Sequence, residues 1–339
     1  MILVVFAHVE TYMLSLDPGT TFISSLFLSF RMPLFFFISG YLVFKEDLSW
    51  TLDTWKRNVI KKIKVQLVPT FVFGLLYTYL FSIGNFYDFI GNAHKFGYWF
   101  TMALLGMLLI VYTINLFIGL CVKKSSQKWV TIMLLIIALM LFLFKFLYDK
   151  SPRVALVSDY FSFYQICVYF PFFVFGYIAS QYKNKFAVFL NNDVIQAFIL
   201  VLFCGLFYLK RTLSSTVYEF HELLLLYRCV QDTLLGLLGI CIVYNFFRKN
   251  ATVFSKEKVI GRQLQFIGSR TLEIYMLHYF FLAQVPKLGV YVESYPNIIV
   301  ELVAVMVLTL IVVFLSLLVS KIVCTNRILA FNLFGKNNV

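Results

Sequence analysis

Long apolar runs separated by short polar connections make up nearly the whole chain. Ten runs reach or approach the length of about 20 residues that a helix needs to cross a bilayer. They cover approximately residues 1–16, 22–44, 65–83, 97–122, 129–148, 160–180, 194–210, 222–247, 271–289 and 297–323. These runs are too long and too continuous for a membrane β-barrel, whose strands are alternating segments of roughly 10 residues. The pattern predicts an all-α, polytopic integral membrane helix bundle with about ten transmembrane helices.

The connections between these runs are too short to hold a separate domain. The longest, 45–64 and 248–270, have only about twenty residues, whereas even a small domain needs about 50. We therefore expect one transmembrane domain over 1–339. The first run is short for a span and lacks the charged start and cleavage site of a signal peptide, so we expect its helix to be truncated and to begin upstream of Met1.

Composition and charge support a membrane chain. Of the 339 residues 61% are hydrophobic and only 13% are charged, where soluble domains have about 25% charged residues. The net charge of +13 indicates lysines and arginines retained on the cytoplasmic side rather than nucleic acid binding. Most of them fall in alternate connections, which predicts that both termini are cytoplasmic. The six scattered cysteines indicate neither a disulfide scaffold nor a metal site.

Polar residues inside apolar runs are costly in a bilayer, and each raises a functional question. His8 and Glu10 lie in the first run, and Arg31 lies in the second at a similar depth, about 12–13 Å below the same surface. A guanidinium beside an imidazole favours its neutral form, which is the form a general base needs. The alternative for His8 is a structural hydrogen bond to a neighbouring helix.

Four further residues of this kind occur in the eighth and ninth runs. They are Arg228, Asp232, Glu273 and His278. Arg228 and Asp232 are four residues apart, so an ion pair within one helix is the favoured interpretation. Glu273 lies near the inner boundary and can snorkel, and His278 can make a structural hydrogen bond.

A basic segment precedes the third run. Lys61, Lys62 and Lys64 in it are dense enough to bind the phosphates of a nucleotide-containing donor from the cytoplasm. Topogenic charge with attraction to anionic lipid is the alternative. Neither a P-loop nor a Rossmann glycine motif occurs, so ATP hydrolysis and dinucleotide binding are not supported.

Several strings taken together resemble the membrane-bound acyltransferase-3 family, in particular its fucose 4-O-acetylase-like branch of surface-polysaccharide O-acetyltransferases. They are ILVVFAH at 2–8, FRMPLFFFISGYLV at 30–43, Tyr98-Trp99-Phe100, PFFVFGYIAS at 171–180 and GSRTLEIYMLHYF at 268–280. The second string is the most specific. Together they occur in the family's order over nearly the whole chain.

The resemblance implies transfer of an acyl group, usually acetyl from cytoplasmic acetyl-CoA, to a hydroxyl of a glycan or lipid-linked saccharide in the bacterial inner membrane. His8 matches the family's catalytic histidine. The family's arginine eleven residues before that histidine would fall upstream of Met1. The family also has an arginine pair after its second span, for which Lys61, Lys62 and Lys64 are the candidates here, and lysine lacks the bidentate fork of arginine.

These expectations combine into one mechanism. His8 removes the acceptor proton, Arg31 stabilises the oxyanion, the three lysines hold acyl-CoA, and Glu10, Arg228, Asp232, Glu273 and His278 support the site or contact substrate. A covalent intermediate on His8 is an alternative. Two other functions stay open. One is a transporter or flippase for a glycolipid or small anion, with Arg31, Arg228 and Asp232 lining its path, and the other is a structural partner of polysaccharide-assembly proteins. Many transporters contain an internal repeat, and the two halves of this sequence show no such self-similarity.

Overall fold

The secondary structure of the described residues is helical. The computed structural model describes residues 1–17, 21–46, 50–121, 126–148, 159–213, 221–294 and 297–336, and these ranges contain no strand. The α-helices in chain order are α1 (Ile2–His8), α2 (Phe22–Val43), α3 (Leu52–Leu80), α4 (Phe86–Gly91), α5 (Trp99–Cys121), α6 (Ser126–Tyr148), α7 (Phe163–Gln181), α8 (Lys183–Asn191), α9 (Asp193–Leu213), α10 (His221–Lys249), α11 (Val259–Ser269), α12 (Thr271–Leu277), α13 (Pro286–Ser294), α14 (Ile298–Val323) and α15 (Arg327–Phe334).

Within the described residues, seven helices are long and apolar enough to cross a membrane. They are Phe22–Val43, Trp99–Cys121, Gln127–Lys145, Phe163–Gln181, Asp193–Thr212, Leu226–Lys249 and Ile298–Val323. Each coincides with one of the predicted runs, which confirms the all-α polytopic fold. Many of their large apolar side chains are exposed, as expected where hydrocarbon replaces water around a protein.

The other three predicted runs are helical but have a different form. Residues 1–16 form the short α1 and a π-helical turn, Val9–Met13. Residues 271–289 form α12, a 3-10 turn at His278–Phe281 and the start of α13. Residues 65–83 are mostly the second half of the longer helix α3.

Helix α3 corrects the prediction of a long connection over 45–64. It begins at Leu52, because Thr51 caps its first turn by accepting a hydrogen bond from the Thr54 amide at 3.2 Å. Asp53 in that turn complements the helix dipole. The basic segment is therefore the first half of a helix. Lysine and arginine are good helix formers, so the density of charge there is compatible with a regular helix.

The chain divides into two compact units. The first comprises Met1–Phe35 and Tyr182–Leu318, and the second comprises Phe36–Gln181 and Val319–Val339. The core of the first unit joins α1 and its π turn to α12, α13 and α14. It includes the buried side chains Phe6, Val9, Ile274, Val292, Val305 and Val312.

Close backbone contact fixes the two interrupted segments of the first unit against each other. The Val285 amide donates to the Met13 carbonyl at 2.7 Å. A β-carbon at Gly289 on α13 would overlap the Leu14 carbonyl oxygen. Only glycine allows α13 to lie this close to the chain that follows the π turn.

In the second unit, a buried lysine holds the loop between α4 and α5. Lys95 is fully buried, and its Nζ donates to the carbonyls of Ile90 and Asn92, both at 2.7 Å, and of Asp159. An ammonium group has three donors, so three carbonyls satisfy it. Burial lowers the pKa of Lys95 to about 8, against the opposing effect of Asp159.

Candidate active site

His8 lies where the first helix changes its hydrogen-bonding pattern. It is the last residue of α1, and the π-helical turn Val9–Met13 follows directly. The turn closes with a bond from the Leu14 amide to the Val9 carbonyl at 3.1 Å. Single π turns inside helices are frequent at functional sites, because the extra residue changes the direction of neighbouring side chains.

His278 lies at the corresponding break in the other interrupted segment. It starts the 3-10 turn that follows α12, and its side chain is fully buried. Irregular backbone at membrane depth is tolerated where protein covers it. The two breaks face each other: His8 Nδ1 and His278 Nε2 are 2.8 Å apart, and the rings are stacked with an interplanar angle of 11°.

A backbone carbonyl determines which ring nitrogens carry protons. His278 Nδ1 lies 2.9 Å from the Ile274 carbonyl oxygen, which can only accept, so Nδ1 of His278 is protonated. In neutral His278 the Nε2 atom is then an acceptor, and His8 Nδ1 must donate to it. The basic lone pair of His8 is consequently on Nε2.

Two tyrosines surround the basic nitrogen of His8. The hydroxyl of buried Tyr279 is 3.4 Å from His8 Nε2, and its ring centroid is 5.0 Å from the imidazole. The ring of Tyr12 makes an edge contact with His8 at 5.7 Å and is partly exposed. His8 itself is half-buried. Its Nε2 therefore lies in a partly buried aromatic environment.

Glu10 follows within the π turn and belongs to a second polar cluster of the first unit. Its carboxylate accepts a hydrogen bond of 2.6 Å from the Ser24 hydroxyl of α2. Glu301, at the start of α14, is close enough to interact with the Glu10 charge. Both carboxyl groups are buried.

Arg31 of α2 completes the group of residues that the first two runs contribute. Its guanidinium acts electrostatically on both His8 and Glu10. The matching depth predicted for His8 and Arg31 therefore corresponds to real proximity. His278, on the ninth run, is the direct hydrogen-bond partner of His8. The sequence identified both histidines but did not predict that they pair.

Glu273 differs from its prediction. It is 2% exposed and lies 3.6 Å from Arg270, one turn before it. The prediction that it snorkels towards water is wrong, because α12 packs this face into the core of the first unit. Arg270 in turn lies over the ring of Phe266 at 4.5 Å.

Arg228 and Asp232 do not pair as predicted. Asp232 instead forms an ion pair with Lys210 of α9 at 2.8 Å, and Arg228 is exposed. The observed ion pair joins α9 to α10. The predicted one, based on a spacing of four residues, would have lain within α10. Both side chains lie on the outer surface of the unit, so they do not supply the buried charges of a transport path.

The basic segment lies in the second unit on α3. Lys61 and Lys64 are exposed, and Lys62 is half-buried. Burial, followed by the charges of Lys61 and Lys45, lowers the pKa of Lys62. These lysines present a cluster of positive charge of the kind that phosphate groups bind.

Glu301, Ser24 and Tyr279 contribute to this geometry and were not found from the sequence. The signal for Glu301 was available, since it is a carboxylate inside the apolar run 297–323. Ser24 and Tyr279 give no such signal, because serine and tyrosine are common in membrane helices. Their roles depend on contacts between helices that are distant in the chain.

Residues 1–319 match a family model described as an acyltransferase domain, Acyl_transf_3. The chain belongs to the acyltransferase-3 family. The match covers most of the sequence and includes both histidines of the His8–His278 pair. With seven apolar helices of spanning length in the part of the chain that the structure describes, the protein is a multi-pass membrane acyltransferase. No match was found among curated proteins or among solved structures.

Proposed function

We propose that the protein moves an acetyl group from acetyl-CoA to a hydroxyl of a glycan or lipid-linked sugar, with His8 as general base. The observation that carries this proposal is the hydrogen-bond chain from the Ile274 carbonyl through His278 to His8. The chain fixes the ring of His8 and leaves its Nε2 basic. An oriented, neutral imidazole is the usual group for removing a hydroxyl proton.

In the proposed reaction, His8 Nε2 takes the proton of the acceptor hydroxyl as its oxygen attacks the thioester carbonyl carbon. The carbonyl π electrons move to oxygen and form a tetrahedral oxyanion. When the carbonyl reforms, the carbon–sulfur bond breaks. The CoA thiolate then takes the proton from His8, which returns to its neutral state, and the products are the acetyl ester and free CoA.

His278 has a positioning role in this scheme. It holds His8 in one tautomer and orientation, and its neutral Nε2 continues to accept from Nδ1 while His8 carries the extra proton. The same logic explains why an oriented partner for a catalytic histidine matters in hydrolases that use a triad. Arg31 is proposed to stabilise the oxyanion, a task for which a preorganised positive charge in a site of low dielectric is well suited.

For the donor, we assign the CoA phosphates to Lys61, Lys62 and Lys64. Support comes from their charge and from the exposure of Lys61 and Lys64 on α3. The distribution of lysine and arginine supports cytoplasmic termini and entry of the donor from the cytoplasm. The resemblance to surface-polysaccharide O-acetyltransferases supports a role in polysaccharide modification at a bacterial inner membrane, where polysaccharide-assembly proteins would be neighbours.

A covalent acetyl-His8 intermediate is the competing route. In that route Nε2 attacks the thioester first, and the acceptor hydroxyl takes the acetyl group in a second step. Rapid quenching with labelled acetyl-CoA in the absence of acceptor distinguishes the two. Direct transfer predicts no label on the peptide that contains His8, and a labelled peptide would favour the covalent route.

The test of the proposed function is acetyl transfer by the purified full chain in lipid nanodiscs. Labelled acetyl-CoA is supplied with surface glycan from cells that lack the gene, and the glycan is analysed by mass spectrometry. We expect an acetyl-sized mass increase with wild-type protein and with His94→Ala, an exposed histidine of the second unit. His8→Ala should lose it. Movement of glycolipid across the membrane without covalent change would contradict an acyltransferase role on this substrate.

A further inference from the structure

A deep apolar groove lies in the first unit, between α2, α9 and α10. Its volume is about 810 Å³, within the range of sites that hold ligands of moderate size. Phe30, Phe203 and Phe207 form a buried floor, with Phe203 and Phe207 stacked on each other. The rim is exposed, and includes Leu200 and Tyr208. The groove is therefore covered below and open along one side.

The floor depends on close contact between α2 and α10. A β-carbon at Gly239 of α10 would collide with the side chain of Phe30. Without a side chain at 239, the Phe30 ring lies against α10 and leaves the space above it open. The groove is thus a consequence of packing, and differs from the flat apolar surface that any membrane helix presents to lipid.

Polar groups occur at one end of the groove. Arg211 in the last turn of α9 lines that end and is exposed. Its Nη1 donates to the Thr21 carbonyl and the Ser25 hydroxyl, both at 3.3 Å, and its guanidinium lies 5.7 Å from the centroid of the Phe22 ring. These contacts hold the guanidinium at the start of α2. The adjacent Lys210 is neutralised by Asp232.

The length of the groove matches half of a bilayer. From Leu200 to Arg211 along α9 is about 16 Å at a rise of 1.5 Å per residue, and half of a hydrocarbon core of about 30 Å is about 15 Å. A chain lying on the phenylalanine floor would place its head group at Arg211. Guanidinium groups bind phosphate with charge-assisted, often bidentate hydrogen bonds.

We propose that this groove is a binding site for an anionic phospholipid of the surrounding leaflet, with one acyl chain on the phenylalanine floor and its phosphate at Arg211. The groove and the acyl-transfer site lie on different faces of α2, because Ser24 contacts Glu10 while Phe22 and Phe30 line the groove. The lipid is therefore a component of the fold and not the acceptor. The inference does not depend on the proposed function.

The test is native mass spectrometry of the purified full chain with phosphatidylglycerol or phosphatidylcholine of identical acyl chains. We expect one tightly retained phosphatidylglycerol, preferred over phosphatidylcholine by about tenfold. Both lipids carry a phosphate, but the choline ammonium of phosphatidylcholine offsets its charge and weakens the attraction to Arg211. Arg211→Ala should abolish that preference while leaving some binding of either lipid. Equal retention of the two lipids by the wild type would overturn the proposal.

Two adjacent positions on α9 give a matched pair of variants. Cys204 lines the groove, so Cys204→Trp should fill it and release the bound lipid. Gly205 has open space around it, so Gly205→Trp should retain the lipid. Loss of lipid in both variants, or in neither, would contradict the assignment. Displacement of phosphatidylglycerol by a polyprenyl phosphate at lower concentration would overturn it in favour of a lipid-linked acceptor.

Discussion

The Nδ1 atom of His8 lies 2.8 Å from the Nε2 atom of His278, which is 270 residues further along the chain. Each histidine stands where its helix leaves the regular α-helical pattern, His8 before a π turn and His278 at the start of a 3-10 turn. Because the Ile274 carbonyl accepts from His278, this pair has one tautomer. The orientation of His8 is set by a group that itself needs no contact with substrate.

His278→Leu and His278→Gln separate orientation from packing. Leucine removes the acceptor for His8 Nδ1, so the rate of acetyl transfer should fall by about 10²-fold or more. The amide oxygen of glutamine can accept in the place of Nε2, and we expect that variant to stay within about tenfold of wild type. The measurement is kcat and KM at saturating acetyl-CoA. Equal losses in the two variants would indicate a purely structural role.

Ser24→Ala should destabilise the first unit. It removes the hydrogen-bond donor of the buried Glu10 carboxylate, and leaving such a group unsatisfied costs about 1–3 kcal/mol. Thermal unfolding in detergent measures the effect. Ser29→Ala is the control on the same helix, because Ser29 donates only to the Ser25 carbonyl within α2. An equal shift in both variants would contradict the specific role of Ser24.

Gly289→Ala tests the close approach of α13 to the chain after the π turn. Its β-carbon would overlap the Leu14 carbonyl oxygen, so α13 must move and strain the bond between Val285 and Met13. We expect a loss of about 1–3 kcal/mol in stability together with reduced transfer. Gly268→Ala, with open space around it, should be neutral or stabilising. Unchanged stability of Gly289→Ala would show that the two segments do not depend on this contact.

Lys95 gives a pH-dependent prediction for the second unit. Its folded pKa of about 8 lies below the ordinary value of 10.5, so between these pH values the unfolded chain binds the proton more tightly than the folded one. The penalty for burying the charge is present below pH 8 and is relieved as pH rises towards 10.5. The stability of wild type relative to Lys95→Met should therefore increase over that range, by up to about 3 kcal/mol.

The pH dependence of thermal unfolding of the two proteins, recorded in parallel, checks this. Methionine has a similar length and does not titrate, so other titrating groups cancel in the difference. A difference that stays constant from pH 8 to 10, or decreases, would contradict the burial of a charged Lys95.

The sequence predicted the parts of this protein that depend on local patterns. Long apolar runs predicted about ten transmembrane helices, and seven of these runs are helices of spanning length in the described residues. The cost of burying polar groups drew attention to His8, Glu10, Arg31 and His278. What it could not predict depends on packing between distant segments. The partner of Asp232 is Lys210 on another helix, a contact that no spacing within α10 reveals.

The same limit applies to the irregular segments. Nothing local in residues 9–13 indicates a π turn, because that turn is stabilised where α1 meets α12, α13 and α14. The sequence also predicts the short helix 271–277 as part of one continuous span. Its interruption depends on packing between distant segments, such as the contact between Val285 and Met13. The basic segment of α3 was predicted as a connection because helices were identified from apolar runs, and this segment is rich in charged residues.

The most direct test of the central claim is the rate of acetyl transfer from labelled acetyl-CoA by wild type, His8→Ala and His8→Gln in nanodiscs, each verified to be folded by thermal unfolding. A general base is typically worth 10²–10⁴-fold, so we predict a loss of that size in both variants with little change in the KM for acetyl-CoA. Transfer by folded His8→Ala at the wild-type rate would contradict the assignment of His8 as the base.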